Sequence, residues 1–214
     1  MHRIYPPRPE KAITPSLIPF YEKRGWVAQV KKNGTCSLAI VSPHGTVDYK
    51  TRHWEDHKAW IPTANMSGFF TEYPDSIFVF ELLHSKTPNV KNTAYLFDVL
   101  RYTGIDLTGQ TLALRLDVLS RIRPVQCAMI AETHVVGLRN LYDRLTEPED
   151  EGIVLKDPNS TLRSCDRDGV NAGWQVKCRR STKNYSFVIP LAICIPMSIH
   201  LLGGLFYSGS SLFF

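Results

Sequence analysis

Four short stretches of this sequence combine reactive side chains with strand and turn formers. In Gln29-Val30-Lys31-Lys32-Asn33-Gly34-Thr35 a lysine leaves a β-like run and meets Asn-Gly, a favoured tight-turn pair. An amine at a strand end beside a second cation can have its pKa lowered, and a deprotonated lysine is a nucleophile toward carbonyl or phosphoryl centres. The same residues also suit a hairpin with a solvated Lys-Lys pair. Ile77-Phe78-Val79-Phe80-Glu81-Leu82-Leu83 sets one carboxylate among bulky apolar residues. A buried carboxylate needs a partner, so Glu81 reads either as a ribose or metal contact or as an outward-facing residue of an edge strand. Glu149-Asp150-Glu151-Gly152-Ile153-Val154-Leu155-Lys156 runs an acidic cluster into an apolar strand that ends in lysine. Clustered carboxylates suit a divalent cation, and equally a charged turn before a core strand. In Trp174-Gln175-Val176-Lys177-Cys178-Arg179-Arg180 the two-residue strand period puts Lys177 and Arg179 on one face, as a phosphate site or a solvated basic edge would have them.

These side chains need a scaffold, and the pattern around them predicts an α+β domain. Strands are expected at Trp26 to Lys31, Ser37 to Val41, Ile77 to Leu83, Ala94 to Val99, Gln126 to Ile130, Gly152 to Leu155 and Trp174 to Cys178. Each is apolar or β-branched and bounded by turn formers. Helices are expected at Glu55 to Trp60, at Leu138 to Leu145, and at Thr111 to Arg121, where Leu112, Leu114, Leu116 and Leu119 supply an apolar face. There is no internal repeat or low-complexity block.

The chain has 214 residues, 43% of them apolar and 21% charged, enough to bury a core and unlike a collagen, a coiled coil or an acidic disordered chain. A net charge of +5 favours a polyanionic partner. Five cysteines without a C-x-x-C pair fit neither a disulfide framework nor a zinc site and predict a reducing compartment. No apolar run follows the basic residue at the N-terminus, so no secretory signal is expected. After Lys183 there is no Asp, Glu, Lys or Arg. The stretch from Val188 to Tyr207 is long enough to cross a hydrocarbon core of ~30 Å as a helix, although Pro190, Pro196, His200 and Gly203-Gly204 weaken one. This end therefore reads as a membrane segment, a buried terminal segment or an aberrant end to the coding sequence.

In order, the chain presents a lysine with glycine three residues on, a strand glutamate, an aromatic-Asp pair, Glu-Gly before a β-run, and paired cations. That series resembles the nucleotidyltransferase (adenylation) domain of ATP-dependent polynucleotide ligases, whose superfamily also contains RNA ligases and messenger RNA capping enzymes. The resemblance covers roughly Ala12 to Lys183. It implies an α+β fold of antiparallel sheets flanked by helices. By that resemblance Lys31 is the nucleophile that attacks the α-phosphate of ATP and becomes joined to AMP. Arg52, in Lys50-Thr51-Arg52, resembles the arginine that contacts ribose and the nucleic-acid 5′-phosphate side, and Glu81 the ribose-contacting strand glutamate. Phe97, in Tyr95-Leu96-Phe97-Asp98-Val99-Leu100, resembles the ring that stacks on adenine. Glu151 matches the Glu-Gly metal site for Mg²⁺ or Mn²⁺. Lys177 and Arg179 fall where a Lys-x-Lys pair meets the α-phosphate.

Phe97-Asp98-Val99-Leu100 followed by Gly104-Ile105-Asp106-Leu107-Thr108-Gly109 looks especially like DNA ligases. Lys31-x-x-Gly34-Thr35 and Lys177-Cys178-Arg179 before Ser181-Thr182-Lys183 look like RNA-end-joining enzymes. The implied partner is therefore a nicked DNA duplex or RNA ends, and the implied location cytoplasmic or nucleoid/nuclear, with membrane association if the tail inserts. Three positions depart from the pattern. Asn33 stands where Asp is usual, Cys36 where DNA ligases carry arginine, and Gln29 where many relatives have a glutamate near the adenine amino group. The expected organisation is an N-terminal extension (1–11), a nucleotidyltransferase domain (12–183) and an apolar tail (184–214) in place of an OB-fold. An accessory protein is one expected way to make up for that domain.

Overall fold

Period-two alternation along the strands sorts side chains onto two faces of each sheet, and the topology then turns one face of each toward a common cleft. The computed structural model describes residues 3–180. The apolar tail lies outside the described residues, and so does the expectation of a membrane segment there. Among the described residues no helix is long and apolar enough to cross a membrane.

The chain order is β1 (Arg8–Pro9), a 3-10 turn (Pro15–Leu17), α1 (Ile18–Lys23), β2 (Val27–Lys32), β3 (Thr35–Val41), β4 (Val47–Thr51), α2 (Ala64–Thr71), β5 (Ser76–Leu83), β6 (Thr93–Tyr102), β7 (Ile105–Asp106), α3 (Leu112–Ser120), β8 (Ala128–Ile130), α4 (Leu138–Asp143), β9 (Asp150–Lys156), β10 (Asn171–Ala172) and β11 (Gln175–Arg179). A three-stranded antiparallel sheet has the order β11-β9-β2. A larger sheet runs β4-β3-β5-β6-β7, antiparallel throughout, with β8 beside β6 in parallel. β1 and β10 form a short parallel pair. The expected α+β fold of antiparallel sheets flanked by helices is the fold observed.

In the small sheet Ala28, Ile153, Leu155, Val176 and Cys178 turn inward onto Ile18 and Tyr21 of α1 and Leu138 of α4. In the large sheet Ala39, Phe78, Phe80, Leu82, Ala94, Leu96 and Val99 pack with Met66, Phe69 and Phe70 of α2 and Leu119 of α3. Burying each of these large apolar side chains is worth about 2 kcal/mol. Both helices start on a threonine. Thr63 accepts from Met66 N and Thr111 from Leu114 N, each satisfying an amide that the first turn leaves unpaired.

Two expectations about the connections fail. Glu55 to Trp60 is not a helix. Thr51 N donates to Glu55 O, Lys50 bridges Asp56, and Trp54 sits at φ 62° with its indole N–H donating to Ile4 O, so the segment is a tied turn. Trp60 leaves the turn to pack on Tyr49 in the core. Nor is Asn33-Gly34 the turn of a hairpin. β2 and β3 belong to different sheets, and Asn33 N donates to Glu149 O as the chain crosses between them. Gly34 is needed there for space, since a Cβ would lie 2.5 Å from Leu82 O. Helices α1 and α2 and strand β4 were not expected. α1 is one and a half turns long, and α2 carries Gly68 at its centre, which weakens the helical signal.

β6 and α3 are joined by a buried ion pair. Arg115 is fully buried, its Nε and Nη2 donating to Asp98 at 2.8 and 3.1 Å and its Nη1 to Gln110 O at 2.8 Å. Truncating one partner strands a charge in the core. Arg115→Ala is therefore expected to lower unfolding free energy by about 3 kcal/mol in urea titrations. Because Asp98 adjoins Phe97, the same change should loosen the cleft wall.

Candidate active site

The two sheets enclose a cleft of about 540 Å³, within the roughly 300–1,000 Å³ usual for small-molecule sites. Its floor is the small sheet. Register puts Lys31, Gly152 and Arg179 in one row, Gln29, Val154 and Lys177 in the next, and Val27, Lys156 and Gln175 in a third. All but Gly152 and Val27 line the cleft. The intervening residues are the core residues of the same strands, so the apolar alternation that folds this sheet also delivers its cations to one surface.

A β-bulge between Lys31 and Lys32 separates the fates of the two lysines. Lys31 Nζ donates to the buried Glu151, while Lys32 Nζ is taken by Asp150 at 2.6 Å. Arg179 Nε stands 3.9 Å from the same Glu151 oxygen. Glu151 thus lies between two of the cations the sequence singled out. Gly152 carries φ 138°, and a Cβ there would lie 1.9 Å from Cys178 O, so β11 can flank β9 this closely only with glycine at that position.

The large sheet supplies the opposite wall. On β5, Ile77 and Val79 share a face with Glu81; the first two are buried and the glutamate emerges into the cleft. Burial pushes the Glu81 carboxyl up to about 7, against the opposing pull of Lys31 and Lys86. Between pH 4.5 and about 7 the folded chain therefore holds a proton that the unfolded chain has released. This group's contribution to stability is full below the unfolded value and is lost as pH rises through the folded one. Urea unfolding between about pH 5 and 8 should show a fall in stability that Glu81→Gln reduces.

Phe97 lines the far end of the cleft with the Lys156 ammonium 4.9 Å from its ring centroid. Lys156 Nζ also donates to Gln29 Oε1 at 2.6 Å, and Gln29 Nε2 to Thr133 Oγ1 at 3.3 Å. Burial lowers the Lys156 pKa to about 8, with Asp98 opposing. Arg52 follows β4, its backbone N–H donating to Cys36 O and its Nη2 to Pro6 O at 2.7 Å, and burial lowers its pKa. Burial, then Arg179 and Lys31, hold Lys177 below the usual lysine range.

Every residue singled out from the sequence, Gln29, Lys31, Arg52, Glu81, Phe97, Glu151, Lys177 and Arg179, is in this one place: seven line the cleft, and Glu151 is buried against Lys31. Lys156, Lys86 and Arg8 line it too and were not singled out. Lys156 was legible by counting in twos from Gly152; the other two come from loops and a terminal strand with no periodic signal. An arrangement of this kind can bind a phosphorylated ligand with a flat ring, with the Lys31 amine beside it. Among the described residues no three His, Cys, Asp or Glu side chains converge as a metal cage. Mg²⁺ does not need one, because it commonly takes one or two carboxylates plus substrate phosphates.

No protein-family model and no curated protein matches the chain. Solved structures do match. Mycobacterial DNA ligase D, determined with ATP and MES, is 17% identical with a TM-score of 0.59 over 81% of this chain and 60% of that one. The ligase domain of M. tuberculosis LigD is 17% identical with a TM-score of 0.59 over 82% and 59%. A chain named Pmar-Lig_PreS3 is 14% identical with a TM-score of 0.56 over 83% and 47%. The described residues have the fold of a DNA ligase nucleotidyltransferase domain, as the motif series leads one to expect. The chain spans about three-fifths of the length of the two mycobacterial chains.

Proposed function

We propose that the protein catalyses ATP-dependent nucleic-acid strand joining through a covalent lysyl-AMP intermediate, with a nicked DNA duplex as acceptor. The observation that carries this reading is the convergence of Lys31, Glu151, Glu81, Lys177 and Arg179 around one cleft with Phe97 at its far end. The ligase-like fold supports it.

In this reading the adenine ring lies against Phe97, Glu81 faces the ribose, and Lys177 and Arg179 draw charge from the α-phosphate. Lys31, having released its ammonium proton, attacks the α-phosphorus. A P–N bond forms, the P–O bond to pyrophosphate breaks, and pyrophosphate carries away the electron pair. AMP then passes to a nucleic-acid 5′-phosphate, and an adjacent 3′-hydroxyl displaces it to seal the strand. A divalent cation arriving with the triphosphate would be held by Glu151 and phosphate oxygens and would supply charge neutralisation. Apart from Glu151, the groups named all belong to a surface with eight basic against two acidic side chains, so substrate grip should weaken with salt.

The test is incubation with α-labelled ATP and Mg²⁺ or Mn²⁺, denaturing electrophoresis, and a chase with 5′-phosphorylated nicked DNA or nicked RNA. Label that moves onto DNA and yields sealed product supports the reading. Transfer only to RNA reassigns the acceptor, and absence of label overturns autonomous adenylyl transfer.

A further inference from the structure

The N-terminal segment forms a wall of the cleft, and it is built to be rigid. Three of its carbonyls are held by side chains from the small sheet and the loop beyond β4: Ile4 O accepts from Trp54 Nε1 at 2.9 Å, Pro6 O from Arg52 Nη2 at 2.7 Å, and Pro7 O from Gln175 Nε2 at 2.8 Å. Its backbone is also tied, with Tyr5 N donating to Cys165 O, Arg8 N to Val170 O, Glu10 N to Gln175 O and Ile13 N to Lys177 O. Pro6, Pro7 and Pro9 have fixed φ and no N–H, and a residue before proline is confined to extended backbone. Arg8, between Pro7 and Pro9, is therefore displayed on a strap whose ordering cost is largely met before any ligand arrives.

Pro7, Arg8 and Pro9 all line the cleft. The Arg8 side chain is exposed and makes no ion pair or hydrogen bond with any described residue. Two nearby charges are of its own sign: Arg8 adds to the repulsion felt by Lys177 and by Arg52. A strap that holds a third cation beside two others, with no carboxylate paired to it, concentrates positive potential where an anion would bind.

We propose that Arg8 is a phosphate-contacting residue of the cleft, an inference that rests on the nucleotidyl-transfer reading of the same site. The recognised chemistry is a phosphate, either in the polyphosphate of the nucleotide or at the 5′ end of the nucleic-acid acceptor. Arginine suits this role because its planar fork offers two parallel N–H donors to phosphate oxygens.

Calorimetric titration of the full chain tests it, with wild type, Arg8→Ala and Arg8→Lys each titrated with ATP and with nicked duplexes bearing either a 5′-phosphate or a 5′-hydroxyl. Loss of one charged contact should weaken binding about tenfold in Arg8→Ala, with partial recovery in Arg8→Lys. A loss confined to ATP assigns the nucleotide polyphosphate. A loss confined to the 5′-phosphorylated duplex, absent with the 5′-hydroxyl, assigns the acceptor. Wild-type affinity within twofold for both ligands, at an unchanged melting temperature, overturns the proposal, as does failure of the wild type to bind either ligand. Should Arg8→Ala lower the melting temperature, Arg8→Gln, which keeps most of the stem without the charge, is scored in its place. A wild type that binds phosphate but takes no label from ATP separates failure of the ligase reading from failure of this one.

Discussion

Alanine at Lys31 is expected to abolish covalent labelling by α-labelled ATP, a loss of at least about a thousandfold, because no other group can supply the P–N bond at that position. The geometry distinguishes Lys31 from its neighbour. Lys31 lies in the row of the small sheet that holds Arg179, beside Glu151 and facing Glu81, whereas Lys32 is committed to Asp150 and sits 5.5 Å over the Tyr95 ring. Lys32→Ala should therefore retain label. Lys31→Arg is the sharper control: it keeps the positive charge next to Glu151 but offers a guanidinium that stays protonated, so it should bind ATP and remain unlabelled. Label lost in Lys32→Ala and kept in Lys31→Ala would move the chemistry to the other side of the bulge and sink the assignment.

Gly152→Ala is expected to be the most destabilising single-methyl change in the molecule, costing about 4 kcal/mol or more in urea unfolding. Two penalties combine. The backbone is at φ 138°, a region that residues with a Cβ avoid, and the added carbon would meet Cys178 O at 1.9 Å with Arg179 Cα at 2.9 Å. Since both neighbours are backbone, no rotamer change relieves the contact. β9 would have to part from β11, carrying Arg179 away from Glu151. Any variant protein that stays folded should therefore also lose affinity for ATP. An unfolding midpoint close to wild type would show that β9 and β11 accommodate a side chain, and that the Glu-Gly pair has another physical basis.

Much of the site was readable because its signals are local. Asn33-Gly34 marks the end of the strand carrying Lys31, the two-residue period puts Lys177 with Arg179, and Glu151-Gly152 precedes an apolar run. The helix expected at Glu55 to Trp60 failed for the same reason that the hairpin at Asn33-Gly34 did. In both, a tertiary partner decides the backbone, Ile4 O for the Trp54 indole in one and Glu149 O for the Asn33 amide in the other. Asp98 is marked in the sequence only by its aromatic neighbour, and its partner Arg115 lies 17 residues away among the leucines of α3.

From the sequence alone came the α+β class, the faces of the strands, Lys31 as the candidate nucleophile and the set of charged residues that accompany it. Each is written in neighbours a few positions apart, through side-chain alternation, turn chemistry and motif order. Tertiary structure alone decided that Lys31 meets Glu151 across 120 residues, that Lys156 reaches Gln29 across 127 and lies over Phe97, and that Pro7 to Pro9 wall the cleft. Such contacts depend on which strands pair, in what register, and on how two sheets face each other. Those outcomes are settled by burial and hydrogen bonding over the whole chain, which no short window of sequence contains.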